Sequence, residues 1–236
     1  MVASADKTIF HATPSANPAP PAAIRSFFLD GRAGRLEALL NEGRPDAPFA
    51  TVLCHPHPKG GGTMHNKVVY HAMKTIHGLG WPVLRFNFRG TGLSDGEHDG
   101  RAEADDVLTA LDWLAADYKL PIVAAGFSFG AAMGLKAAST YPGIRGFAAL
   151  GLPTHAEGRD YTYPHLPECT FPKLFLSGDR DQYAPAAQLT AIADSAPEPK
   201  RLVFIPGADH FFTGHLSAMQ AALGQWLDFT FPPQPS

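Results

Sequence analysis

One stretch of the chain offers a nucleophile. Gly126-Phe127-Ser128-Phe129-Gly130 follows the apolar run 121–127 and leads into an Ala-rich segment. Glycine two positions to either side of a serine is what a sharp strand-to-helix turn requires. A Cβ there would clash while the serine sits in a strained backbone with its hydroxyl exposed. The same residues also suit a glycine-rich helix start with Ser128 as a plain N-cap, but the strand before and the helix after favour the nucleophile. A serine hydroxyl attacks a carbonyl only when a base takes its proton, and the base in turn needs a carboxylate to orient it. Beyond Ser128, the run 200–207 ends in Ala208-Asp209-His210-Phe211-Phe212, which puts His210 on a loop after a strand. The run 172–179 leads into Asp179-Arg180-Asp181, two carboxylates between which the residues alone do not choose. Asp209 points away from its neighbour His210 in an extended loop and reads as structural.

The elements that must position these residues alternate regularly. Segments 26–31 and 35–40 read as two strands around a turn at Asp30-Gly31, and 49–55 as a third, buried one. Helices are expected at about 66–77, 101–117, 128–140, 185–195 and 214–227, and strands at 82–88, 121–127, 144–152, 172–179 and 200–207. Strand-helix alternation implies a mostly parallel sheet covered on both faces. The first three strands, with no helix between them, are expected to form an antiparallel edge. In such a sheet, ligands bind beyond the carboxyl ends of the strands, where Ser128, Asp179, Asp181 and His210 all fall.

Composition removes several other classes. Of 236 residues, 45% are hydrophobic and 17% charged, so the chain as a whole can build a core. The net charge is −3 and the 19 Lys and Arg are scattered, which argues against nucleic-acid and membrane-surface partners. Cys54 and Cys169 are too few for a disulfide framework and form no metal-type pair. No signal-type or membrane-spanning apolar run is evident, giving a cytoplasmic expectation. Residues 1–23, rich in Pro, Ala and Ser toward their end, read as a flexible lead-in to one domain over 24–232. His55 and His57, with His65 and His71 nearby, lack a carboxylate to complete a metal set, and Gly90-Thr91-Gly92 lacks the spacing of a dinucleotide loop. No metal and no cofactor is expected. Residues 93–98 read as a solvated loop without a catalytic role.

These motifs resemble the α/β-hydrolase superfamily, whose chain order Ser, Asp, His this sequence follows. Gly178-Asp179-Arg180-Asp181-Gln182-Tyr183-Ala184-Pro185 is similar to the family string G-x-x-D-x-x-x-P, which implies Asp181 as the acid. The stretch from Asn87 to Ser94 looks like D-x-R-G-x-G-x-S, with Asn87 where many members carry Asp. The stretch from Leu53 to Met64 resembles the H-P-H-P...G-G-T-M loop of a small bacterial, dienelactone-hydrolase-like group. Dienelactone hydrolases use a Cys nucleophile, and Ser128 stands in its place, so their particular chemistry is not implied. The likeness spans about residues 25–230.

The resemblance implies an α/β-hydrolase fold with a mostly parallel eight-stranded sheet. It also implies an oxyanion hole made by the backbone N–H groups of Phe129 and of His57, since Pro56 and Pro58 have none to give. Many relatives insert a lid where this chain has only 154–171, so no large lid domain and an open site are expected. Met64, Tyr161, Tyr163, Tyr183, Phe211 and Phe212 could form an apolar wall. The implied activity is that of a carboxylesterase-type serine hydrolase acting on a small-molecule, short-chain acyl ester. A thioesterase, lactonase, peptidase or peroxide-dependent perhydrolase would use the same residues, and a silent fold used for binding would need none of them.

Overall fold

The computed structural model describes residues 23–156 and 158–232. The expected flexible segment lies outside these residues except for Ala23. Among the described residues ten strands run β1 (Ile24–Gly31), β2 (Gly34–Asn41), β3 (Thr51–Cys54), β4 (Val83–Phe86), β5 (Ile122–Phe127), β6 (Ile144–Leu150), β7 (His155–Ala156), β8 (Arg159–Asp160), β9 (Lys173–Gly178) and β10 (Lys200–Ile205). The helices are α1 (Lys67–Gly78), α2 (Glu103–Tyr118), α3 (Phe129–Ala138), α4 (Ala186–Ser195) and α5 (Leu216–Thr230). Eight strands form one sheet in the order β1-β2-β4-β3-β5-β6-β9-β10, and β7 and β8 form a separate small antiparallel pair.

The antiparallel edge consists of β1, β2 and β4, not of the first three strands. β2 runs antiparallel to both β1 and β4, whereas β3 lies between β4 and β5 and is parallel to each. The reason is burial. All four residues of β3 are buried, while β1 keeps most of its residues at least partly exposed. A strand without a polar face must sit where helices cover both sides. The turn between β1 and β2 is at Arg32-Ala33, two residues beyond the expected Asp30-Gly31.

The pleat distributes the core to two faces. Val52 and Cys54 of β3, Ala124 of β5 and Phe175 of β9 join a cluster with α2, α3 and the Leu189–Ala193 side of α4. Leu53, Val123, Ala125, Phe127, Leu174 and Leu176 point the other way, against Val69, Ala72, Met73 and Ile76 of α1 and Met219, Leu223 and Trp226 of α5. With apolar side chains locking it from both sides, the sheet fixes its carboxyl ends as a rigid rim. Among the described residues, 154–171 contain only the β7-β8 pair and a short 3-10 turn at Leu166–Glu168, so there is no large lid domain. No helix among the described residues is long and apolar enough to cross a membrane.

Candidate active site

β5 is buried along its whole length and ends at Ser128, which carries φ 55° and ψ −123° before α3 begins. This left-handed backbone is costly for a residue with a Cβ and persists only where packing dictates it. The flanking glycines show how. A Cβ on Gly126 would run into the carbonyl of Gly130, and a Cβ on Gly130 into the carbonyls of His55 and Cys54. The turn is thus closed by backbone against backbone. Ser128 stands at the N-cap position of α3 but makes no side-chain cap, so the plain N-cap reading does not describe it.

The Ser128 hydroxyl instead donates to His210 Nε2 at 2.9 Å, and His210 Nδ1 donates to Asp181, 2.9 Å from Oδ2 and 3.0 Å from Oδ1. All three are nearly enclosed, with 8%, 2% and 3% of Ser128, His210 and Asp181 exposed. Asp181 follows β9 and His210 follows β10, each reached through a tight loop. Gly178 is needed there because a Cβ would strike the carbonyl of Ala208. Asp181 has no lone pair wasted: Oδ2 accepts from the Ser177 hydroxyl at 2.7 Å, and Oδ1 accepts from the N–H of Tyr183 at 2.8 Å and of Ala184 at 3.1 Å. Burial works to raise its carboxyl. The hydrogen bond and charge of His210, with the Ser177 and Tyr183 donors, outweigh that and hold it below the usual carboxylate value.

The alternative carboxylates are occupied elsewhere. Asp179 accepts from the N–H of Gly207 at 2.7 Å and ties the two loops together. Asp209 accepts from the N–H of Thr213 at 2.8 Å and closes the turn that contains Phe212. His55 is also a framework residue. Its Nδ1 donates to the Pro56 carbonyl at 2.7 Å and its Nε2 accepts from the Phe88 N–H at 2.9 Å. His71 bonds to Gln220 through Nδ1 at 2.8 Å, and among the described residues no three His, Cys, Asp or Glu side chains gather as a metal set.

Above Ser128 lies a cleft enclosing about 130 Å³, with His57, Asn66, Phe129, Tyr161, Tyr183 and Phe211 in its wall. Among the described residues, the lining contains no Lys, Arg, Asp or Glu. The Tyr183 and Phe211 rings lie 4.7 Å and 5.1 Å from the His210 ring, both edge-on. Three of the expected wall residues lie elsewhere. Met64 is buried in the core, its N–H bonded to Asn87 and its carbonyl to Arg85. Tyr163 turns its hydroxyl inward to the Pro153 carbonyl at 2.6 Å, and Phe212 is fully buried beneath the His210 loop. Asn66, whose Oδ1 caps α1 through the Val68 N–H, lines the cleft and was not singled out from the sequence. Its position at a helix start concealed it among ordinary capping residues.

The segment 93–98 is not simply solvated. Ser94 is buried, donating to the Asn87 carbonyl and accepting from the Glu37 N–H. The His98 side chain is only 9% exposed, with Nδ1 2.5 Å from Glu103 Oε1 and its ring 4.7 Å from that of His57 and 5.4 Å from that of Phe129. The rings of His57 and Phe129 in turn lie 4.9 Å apart. The His98 ring thus packs against the rings of both His57 and Phe129, which also touch each other.

Comparison with known proteins identifies the family. A family model described as an alpha/beta hydrolase domain matches residues 50–224. An uncharacterized protein of Rickettsia prowazekii is 35% identical over 85% of this chain and 87% of its own length. The crystal structure of a Xanthomonas campestris protein, described as an α/β serine hydrolase without lid, has a TM-score of 0.79 at 31% identity, covering 93% of this chain and all of that one. A serine hydrolase homologue from Coxiella burnetii gives 0.78 at 33%, covering 85% of this chain and 96% of its own. The chain belongs to the α/β-hydrolase family.

Proposed function

We propose that the protein is a serine carboxylesterase acting on short-chain acyl esters through an acyl-enzyme. The observation that carries this reading is the unbroken Ser128–His210–Asp181 hydrogen-bonded line at the floor of the neutral cleft. Ser128 Oγ attacks the ester carbonyl while His210 Nε2 takes its proton, and Asp181 holds the imidazole in the tautomer that leaves Nε2 free to accept. The N–H groups of Phe129 and His57 receive the oxyanion. The tetrahedral intermediate collapses, His210 returns the proton to the departing alkoxide, and a water activated by His210 then releases the acid from Ser128.

The serine hydrolases of Xanthomonas and Coxiella support the reaction class. The cleft volume of about 130 Å³ and the lack of a lid domain support a small acyl group and a site open to water. A charged substrate would find no counter-charge in the cleft itself. Hydrolysis of p-nitrophenyl esters from acetyl to dodecanoyl, run beside Ser128→Ala, tests the proposal. Turnover on the short chains that falls by at least about 10³-fold in the variant is expected. Turnover that survives the substitution overturns it.

A further inference from the structure

A second cavity, of about 220 Å³, adjoins the catalytic cleft, with Tyr161 lining both. Its lining includes Arg101, Lys136, Arg159, Asp160 and His165. Lys136 and the neighbouring lining residue Ala132 sit on α3 below Ser128, about 6–12 Å along the helix from the nucleophile at the usual rise per residue. Three cationic side chains thus line one cavity in a protein whose net charge is −3.

Among the described residues, Arg101, Lys136 and Arg159 pair with no carboxylate. What marks these cations is that they share one cavity, since Arg44, Arg145, Arg180 and Arg201 likewise show no carboxylate pair among the described residues while Arg25, Arg32, Arg35 and Arg89 do. Arg159 is held by neutral groups, with Nη1 donating to the Gly100 carbonyl at 2.5 Å and its guanidinium 4.9 Å over the Tyr161 ring. Lys136 reaches the Arg101 carbonyl at 3.4 Å. The carboxylate of Asp160 is engaged by His155 Nδ1 at 2.6 Å. His165 Nε2 is buried and has no hydrogen-bond partner. A cavity that gathers cations without carboxylate partners and leaves a buried ring nitrogen unsatisfied has the chemistry of an anion site.

We propose that this cavity is a subsite for an anionic group, a carboxylate or a phosphate, carried by the substrate whose ester bond lies at Ser128. The inference rests on the esterase reading and deepens it: the neutral cleft takes the scissile end and the adjoining cationic cavity takes the charged end. Guanidinium groups offer paired N–H donors to either oxyanion, and Lys136 adds a point charge.

The test compares substrates matched in length but not in charge. In the wild-type protein, kcat/KM for the p-nitrophenyl half-ester of adipate is expected to exceed that for p-nitrophenyl hexanoate by about tenfold, the sum of three solvent-exposed contacts. The ratio shrinks with added salt and falls towards one in Arg101→Gln/Lys136→Gln/Arg159→Gln, with Lys136→Gln alone intermediate. Arg201→Gln, on the edge strand β10, keeps it. An acetyl ester of glycerol 3-phosphate beside a neutral acetyl glycerol ester separates phosphate from carboxylate, and preference for the charged member of either pair supports the subsite. Calorimetric binding of adipate against hexanoate to Ser128→Ala reads the cavity without turnover. Equal handling of charged and neutral members in both pairs, with no calorimetric preference, overturns the subsite even if ordinary esters are cleaved. Preserved adipate preference without ester turnover overturns the esterase reading and leaves the subsite standing.

Discussion

Acid should destabilise this protein through His55, and the effect can be sized. The ring is fully buried, its Nδ1–H given to the Pro56 carbonyl and its Nε2 accepting the Phe88 N–H. A proton on Nε2 breaks the second bond and leaves a charge in the core. Burial is the main cause that pushes its pKa down from the ordinary 6.5 to about 3, with the imidazoles of His98 and His57 acting in the same direction. The unfolded chain takes up this proton near pH 6.5 and the folded chain only near pH 3. Between those values the unfolded state binds more protons, so stability is full above the window and is lost as pH falls through it. The slope approaches about 1.4 kcal/mol per pH unit, and the whole window amounts to on the order of 4–5 kcal/mol. That is a large part of the roughly 5–15 kcal/mol of a typical domain. Asp181, held below its ordinary 3.8, adds its own loss once the pH falls to that value and below. Urea unfolding of the wild type and His55→Gln from pH 7.5 to 4.5 isolates the term. The variant should be less stable at neutral pH yet show a flatter fall below pH 6. Parallel losses in the two proteins, or an NMR titration of the His55 ring near pH 6.5, would refute the reasoning.

Three further outcomes follow from the geometry. Asp181→Asn keeps the hydrogen-bonding shape but favours the wrong His210 tautomer, and kcat for p-nitrophenyl acetate should drop by about 10³–10⁴-fold with KM little changed. His57→Pro suits the local φ of −55° and deletes only the main-chain donor and the ring; a kcat loss of about 10²–10³-fold in a folded variant is expected, and unchanged turnover counts against His57 as an oxyanion donor. Asn87→Asp should lower the urea midpoint despite restoring the commoner family residue. Asn87 Nδ2 donates to Glu37 Oε2 at 2.7 Å, and a second carboxylate there costs about 1–3 kcal/mol.

The residues that make the catalytic line were legible in the sequence because each is announced by local backbone demands. Gly126 and Gly130 mark a turn only Gly can close, Asp181 follows an apolar run that forms a fully buried strand, and His210 follows the part-apolar run of the edge strand β10. The place of β3 was less legible. Nearness in sequence favoured pairing it with β2, although its unbroken burial, Thr51 to Cys54, was a signal for the sheet interior. The wall of the cleft could not be read at all in places. Whether Tyr161 or Tyr163 faces the site depends on which way the chain turns after β8, and Tyr163 finds its partner in Pro153 instead. His98 looked solvated because its neighbours are polar. Its burial comes from Glu103 on α2 and Phe129 on α3, contacts that local composition does not express.

The sheet order has a kinetic consequence. Ser128 and His210 are 82 positions apart, and Asp181 and His210 are 29 apart, each delivered by a different strand of the parallel half. The β1-β2 hairpin can zip from its own turn, but β3 has no permanent place until β4 and β5 exist to hold it on either side. Such distant pairings pay their loop-closure entropy before any reward arrives and form slowly. During refolding, helical signal should therefore return well before turnover does. Recovered activity then reports the last strand to be seated, not the first element to form.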